Sequence, residues 1–243
     1  MLIVVMPQLL LKQPSNWLQS FERAKLSATG LGCQIEMDKT ASILVITCAA
    51  VAREVNDIKK LGQWSQMDLQ SITADLHVTP EKIPQVVADK IDQARDAYDH
   101  IFVAYGDCGT SGELDKVLDQ RGVSRLPGAH CYDFLAGEAT YAKLQDEEPG
   151  TFYLTDFLAQ HFQRLVIGTL GLDKHPELLP MYFGNYTRLV YLAQTDSDQL
   201  TESSRLAAEQ LGLRFERIFT GAGEMVPALG AAMQKAMRPA LKG

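Results

Sequence analysis

The sequence predicts an α/β fold, a mainly parallel sheet of about six or seven strands with helices on both faces. Three observations predict it. Short apolar runs such as SILVITC (Ser42 to Cys48) and RLVYLAQ (Arg188 to Gln194) are continuous rather than alternating, as in strands covered on both faces. Such runs lead into segments with apolar residues at helical spacing, as in Val51, Val55, Ile58 and Leu61. The connections are short, near the ~4–6 residues usual between such elements. The strands form either one twisted sheet or two similar lobes divided near residue 150.

Composition narrows the class. A chain of 243 residues, 46% hydrophobic and 22% charged, can bury a core without disulfides. The net charge of -7 and the lack of any Lys/Arg run exclude a nucleic-acid-binding body. The opening MLIVVMPQLLLKQP has no basic residue ahead of its apolar stretch, is interrupted by Pro7, and falls short of the ~20 residues a membrane span needs. Residues 1–41 therefore read as an N-terminal extension, without membrane or export function, and 42–243 as the α/β domain. Four cysteines without framework spacing point to a reducing cytoplasm and to free or metal-bound thiols.

The elements follow in order. After Ser42 to Cys48 comes a helix ended by Gly62. A weaker strand near Leu69 to Leu76 precedes a helix from about Glu81 to Tyr98, with Thr79 as cap and Pro80 in its first turn. IFVAYG (Ile101 to Gly106) is a buried strand, and Glu113 to Gln120 a helix. Glu138 to Asp146 is a polar helix ahead of the strand TFYLT (Thr151 to Thr155) and an amphipathic helix from Asp156 to Leu170. A short helix near Pro176 to Phe183, the strand Arg188 to Gln194, a helix Gln199 to Leu211, the strand Arg214 to Gly221 and a helix from Glu224 complete the chain.

The chemistry concentrates between His100 and Gly137. The loop GDCGTSG (Gly106 to Gly112) stands between a strand end and a helix start, where ligands bind in open α/β sheets. Its Gly106, Gly109 and Gly112 free the backbone for close approach to a bound group, a cofactor-binding reading. It lacks the Gly-Lys-Ser/Thr of a phosphate loop and the spacing of dinucleotide glycines. TGAGEM (Thr220 to Met225) offers a weaker version of the same geometry.

Cys48 and Cys108 both follow strands that, if parallel, end at one edge. The Pro127-Gly128 turn brings up His130 and Cys131. Cys48, Cys108, His130 and Cys131 are thus the candidate metal ligands, and a three-ligand soft site with an open position is how zinc binds a thiol or water. Helix amino termini would lower the thiol pKa values, and Cys108 is also a candidate nucleophile. Glu54, the second candidate for catalysis, either orients a site residue or faces water. Tyr105 and Tyr132 could wall a pocket, and His77 could project to the same edge. Cys33 is incidental, and His161 and His175 are structural. Against the metal reading, free cysteine commonly serves as a small buried hydrophobe.

CAAVAREV, LHVTPEKI, VAYGDCGTSGEL, LPGAHCYDFLAG, GTFYLTDFL, GLDKHPELLPMYFGNYTRLVYLAQTDSDQL and LGLRFERIFTGAGEM together resemble a bacterial and archaeal family, domain of unknown function sixteen-thirty-eight, over about Ile43 to Leu229. Its pattern falls on Cys48, on Tyr105, Gly106, Cys108 and Gly109, on His130 with Cys131, and on Gly150 to Tyr153. The aspartate expected between the histidine and the cysteine is absent here. The resemblance implies a setting beside corrinoid-dependent methyltransferases that demethylate methylated amines or betaines. The expected function is thus a Cys/His metal-binding protein, with zinc as the metal, linked to one-carbon methyl transfer. Its substrate would be a small molecule or methyl carrier, and a corrinoid would enter only through a corrinoid-protein or methyltransferase partner. The alternative is a non-catalytic accessory or cofactor-delivery protein with structural cysteines and no metal.

Overall fold

The computed structural model describes residues 41–237. The N-terminal extension and Cys33 lie outside the described residues. Strands β1 (Ile43–Cys48), β2 (Met67–Ile72), β3 (His100–Ala104) and β4 (Ser124–Arg125) form one sheet in the order β2-β1-β3-β4. Strands β5 (Thr151–Leu154), β6 (Arg188–Ala193) and β7 (Arg214–Phe219) form a second in the order β5-β6-β7. Every pairing is parallel. Of the two arrangements left open by the sequence, one sheet or two, the strands take the second: seven strands divide between sheets of four and three, on either side of residue 150.

The helices are α1 (Ala52–Gly62), α2 (Ile83–Ala94), α3 (Glu113–Arg121), α4 (Cys131–Ala136), α5 (Glu138–Glu147), α6 (Asp156–Gln160), α7 (Leu179–Phe183), α8 (Asp198–Leu211) and α9 (Met225–Met237). The two continuous apolar runs, β1 and β6, are buried along their whole length and lie inside their sheets. Alternation along β6 splits its side chains between two cores. Leu189, Tyr191 and Ala193 meet Phe162, Ile167, Ala207 and Leu211 on one face, while Val190 and Leu192 meet Leu144 and Tyr153 on the other.

Local signals moved several boundaries. Gly62 does not end α1 as a cap: Gln63 takes the left-handed conformation, at φ 56°. Gly62 is required by the Trp64 ring, which would stand 2.5 Å from an added Cβ. The helix expected from Glu81 to Tyr98 is shorter, preceded by 3-10 turns at Ala74–Val78 and Pro80–Lys82, because Pro84 fits only the first turn of α2. The amphipathic run after Asp156 breaks after α6 and resumes as a π-helical turn, Gln163–Gly168, whose Val166 and Ile167 pack into the core beside Phe162. Helix α4 and strand β4 were not expected.

Helix α9 leaves the second sheet and returns to the first, where Leu229 and Met233 line a cavity with Ile43, Val45 and Phe102. A buried polar link between the sheets is the carboxylate of Asp156, just past β5. Its Oδ1 accepts from the Tyr191 hydroxyl at 2.7 Å and the Gln194 amide at 2.9 Å. Its Oδ2 accepts from the Thr195 amide at 3.0 Å, the Thr195 hydroxyl at 2.6 Å and Nη2 of Arg53, on α1, at 2.7 Å. Burial raises the Asp156 pKa, but these donors outweigh it and hold the carboxyl below its ordinary value.

Removing a buried carboxylate with so many donors strands them, so Asp156→Ala should lower the unfolding free energy by about 3–5 kcal/mol in urea denaturation. The sign of the pH effect follows from the depressed pKa. The carboxylate's contribution is present above its unfolded value, roughly pH 4, and is lost as pH falls through the lower folded value. Melts recorded from pH 6 to pH 2 should therefore show a shallower acid decline for Asp156→Asn than for the wild-type chain.

Candidate functional site

Parallel pairing sends the carboxyl ends of β1, β2 and β3 to one rim. Cys48 ends β1, and its Sγ accepts from the Ala50 amide at 3.3 Å. Across the ladder Thr47 stands opposite Ala104, so the residues that follow, Cys48 and Tyr105, leave the sheet side by side. Cys108 follows at a positive φ of 50°. The backbone of the segment before α4 is laced to this loop: the amides of Asp107 and Cys108 donate to the carbonyls of Gly128 and Ala129 at 3.2 and 2.7 Å.

The turn that delivers His130 and Cys131 is fixed by two charged side chains. Asp133 Oδ2 accepts from the amides of Ala129 and His130 at 2.6 and 2.9 Å, which starts α4. Gly128 is held at φ +101°, where an added Cβ would lie 2.9 Å from Asp133. Arg125, paired through Nε with Asp115 at 2.6 Å, donates from Nη1 to the carbonyls of Leu126 and Gly128. On its other side α4 meets the second sheet. Glu224 donates its amide to Phe134 at 2.7 Å, and Tyr132 packs in a cluster with Tyr141 and Tyr153.

The three described cysteines, Cys48, Cys108 and Cys131, are free thiols, Cys48 buried and the others partly so. They come from three separated stretches of chain, and each adds to the ionisation cost of Tyr105, after the larger effect of burial. The Tyr105 hydroxyl is buried and has the Cys48 thiol as a weak hydrogen-bond partner. His77 stacks on the opposite part of this wall, its ring 5.7 Å from that of Tyr105 at 13°. His130 is exposed, with its ring 6.4 Å from Tyr132.

Helix starts do not lower these thiol pKa values as sequence reasoning expected. Burial raises all three, and neighbouring sulfurs add to it at Cys108 and Cys131. Cys108 is pushed up to about 12 by burial and by Cys48, against amide donors from Cys131 and Gly106. As a lone thiol Cys108 is thus protonated at neutral pH and a poor nucleophile. Burial also holds the His77 imidazole below its ordinary value, although its outer side is exposed. Among the described residues no three His, Cys, Asp or Glu side chains stand close enough to share a metal ion as they lie.

The glycine loop turns its donors inward. Asp107 accepts from the Thr110 hydroxyl and Gly112 amide on Oδ1 and from the Ser111 amide on Oδ2, and the Thr110 and Glu113 amides bond within the loop. The loop therefore has no row of amides for an anion. Gly106 permits close approach to protein rather than to a ligand, since an added Cβ would lie 3.1 Å from the His130 backbone. Gly109 packs on Pro80, and Gly112 takes φ +83° ahead of α3. TGAGEM behaves alike: Gly223 abuts the carbonyls of Phe134 and Leu135.

Glu54 is buried and faces neither thiol nor imidazole among its bonds. Its Oε1 accepts from Nε and Nη2 of Arg53 at 3.1 and 2.8 Å, so it shares that guanidinium with Asp156. His161 meets Phe157 edge-on and His175 bonds Glu177. Sequence reasoning missed Arg53 and Asp156. Asp156 carried only the signal of an acidic residue in a helix's first turn, which does not reveal burial.

Raised pKa values make a direct expectation. A thiol with a pKa about 12 is thiolate at pH 8 in roughly one molecule in ten thousand, so Cys108 should react with a disulfide reagent orders of magnitude more slowly than in the denatured chain. Raising the pH from 8 to 9 should speed that reaction about tenfold, whereas an unperturbed thiol near its own pKa of ~8.5 would speed up far less. Mass-spectrometric counting of labelled cysteines against time checks both.

No curated protein matches the chain. A family model described as Protein of unknown function (DUF1638) matches residues 71–229. The match starts later than the resemblance read from the motifs, leaving Cys48 and Arg53 ahead of it, and takes in Tyr105, Cys108, His130, Cys131 and Asp156. With more than half of its length inside that match, the chain belongs to the DUF1638 family.

Proposed function

We propose that this protein binds a soft divalent cation, zinc foremost, through the thiols of Cys48, Cys108 and Cys131, in the service of one-carbon methyl transfer. A single observation carries the metal part. Three free thiols from separate chain segments each add to the ionisation cost of one buried phenol, Tyr105, at the carboxyl-end rim of the first sheet.

The donor set suits such a cation. Thiolates select zinc and other soft ions over calcium or magnesium. Packed together without a cation the three thiols keep their protons, because burial and mutual repulsion disfavour three negative sulfurs; a divalent ion in place of the protons removes that obstacle. Ligation requires the sulfurs to close in from where they stand. Zinc held by thiolates would bind and activate a substrate thiol or amine. The methyl assignment rests on the family resemblance read from the motifs, with a corrinoid carried by a partner protein.

A second reading has its own observation. No three donors lie at bridging distance among the described residues, which favours structural cysteines in a non-catalytic accessory protein. Elemental analysis of the reduced, full-length protein separates the two. The metal reading expects about one zinc per chain, lost in Cys108→Ala and in Cys48→Ser. Protein that stays metal-free after dialysis against micromolar zinc leaves the accessory reading standing.

A further inference from the structure

The chain after β5 leaves a cavity that neither the thiols nor the glycine loop explains. Helix α6 stops at Gln160, His161 turns out of helical geometry at φ -112°, and the run resumes as the π-helical turn Gln163–Gly168. A π turn holds one residue more than an α turn, so the side chains around it fall out of register with α8, and such turns are frequent at functional sites. Ala159 and Ala207 are small where the two runs meet. The space left is about 420 Å³, within the roughly 300–1,000 Å³ of small-ligand sites.

The lining sets the chemistry of what fits. Its floor is apolar, built from the buried Ala159, Phe162 and Ala207. Its polar groups include Arg164, His161 and an amide pair in which Gln163 donates to Gln210 at 2.8 Å. None of the described residues that line it is acidic, in a chain of net charge -7. Arg164 is anchored at one nitrogen, since its Nη1 donates to Asp75 Oδ1 at 2.9 Å and the Thr73 hydroxyl donates to the other oxygen of that carboxylate. Among the described residues no group accepts from Nε or Nη2 of Arg164. Those two nitrogens form the edge of a guanidinium that takes both oxygens of a carboxylate side by side.

We propose that this cavity binds a small monocarboxylate with a short aliphatic body, the carboxylate paired with Arg164 and the body lying on the Ala159, Phe162 and Ala207 floor. A dianion such as phosphate is disfavoured, because Asp75 already shares the guanidinium. A cation meets no acidic partner in the lining. The site makes no use of the thiols and is independent of the soft-cation reading.

The experiment titrates the full, reduced chain with hexanoate, 1-hexanol, hexylamine and inorganic phosphate, followed by ligand-observed NMR. Hexanoate should saturate and bind roughly tenfold more tightly than 1-hexanol, the difference that charged hydrogen bonds to Arg164 supply, and neither hexylamine nor phosphate should displace it. Arg164→Gln should bring hexanoate down to the affinity of 1-hexanol while leaving 1-hexanol itself unchanged. Leu206→Glu, which sets a like charge on the half-exposed wall, should also weaken hexanoate. Both side chains are solvent-exposed, so these variants keep the fold. Hexanoate binding that Arg164→Gln leaves unchanged overturns the inference. So does a wild-type chain that binds phosphate or 1-hexanol as tightly as hexanoate, or that binds no hexanoate.

Discussion

The constraint on which this structure turns is parallel pairing in both sheets, coupled through one shared guanidinium. Parallel strands put all their carboxyl ends on one edge, and here the turns that leave those edges reach toward each other. Arg53, just past β1, donates to Asp156, just past β5, while Glu54 shares the same guanidinium. Asp156 in turn takes the Tyr191 hydroxyl and the amides that follow β6. The ends of three strands from two sheets are therefore fixed by one network. A buried carboxylate without those donors would cost several kcal/mol. With them, it dictates how the two edges meet.

Helix α4 depends on that arrangement. It is too short to be stable alone and is held from both sides, by the glycine loop through Ala129 and by the loop after β7 through Phe134. Its first two residues consequently face different environments. Cys131 joins the thiols of the first sheet's rim, and Tyr132 joins Tyr141 and Tyr153 on the second. The glycine loop spends its amides on Asp107 and on the α4 segment, which makes it a clamp for that segment rather than a cradle for an anion.

The fold was legible where one physical signal dominated. β1 and β6 are continuous apolar runs, and only strands covered on both faces bury every side chain of such a run. The split into two sheets was legible only as an alternative, because nothing local to β4 or β5 states which neighbour it pairs with. Helix α4 escaped notice although Asp133 stands three residues past His130, a capping spacing, because a six-residue helix shows no periodicity. The convergence of Cys48 and Cys108 on one edge followed from strand order. The thiol ionisation did not, since a helix start and burial push in opposite directions and only coordinates tell which is larger. Arg53 and Asp156 look like ordinary surface charges in sequence, and their pairing spans 103 positions.

Burial of the thiols also bears on what chemistry this rim can support. A nucleophilic cysteine works as thiolate, which calls for a cationic neighbour or an exposed, polar setting. The rim offers the reverse: desolvated sulfurs beside one another and beside a phenol that is itself hard to ionise. The Arg125 guanidinium, which feels the Cys108 thiol, is committed to Asp115 and to backbone carbonyls. What such a group of sulfurs lacks is positive charge, and a soft cation would supply it while leaving the surrounding apolar shell undisturbed. Without the cation the same residues form a desolvated layer of protonated thiols beside a buried phenol, the arrangement that the accessory reading requires.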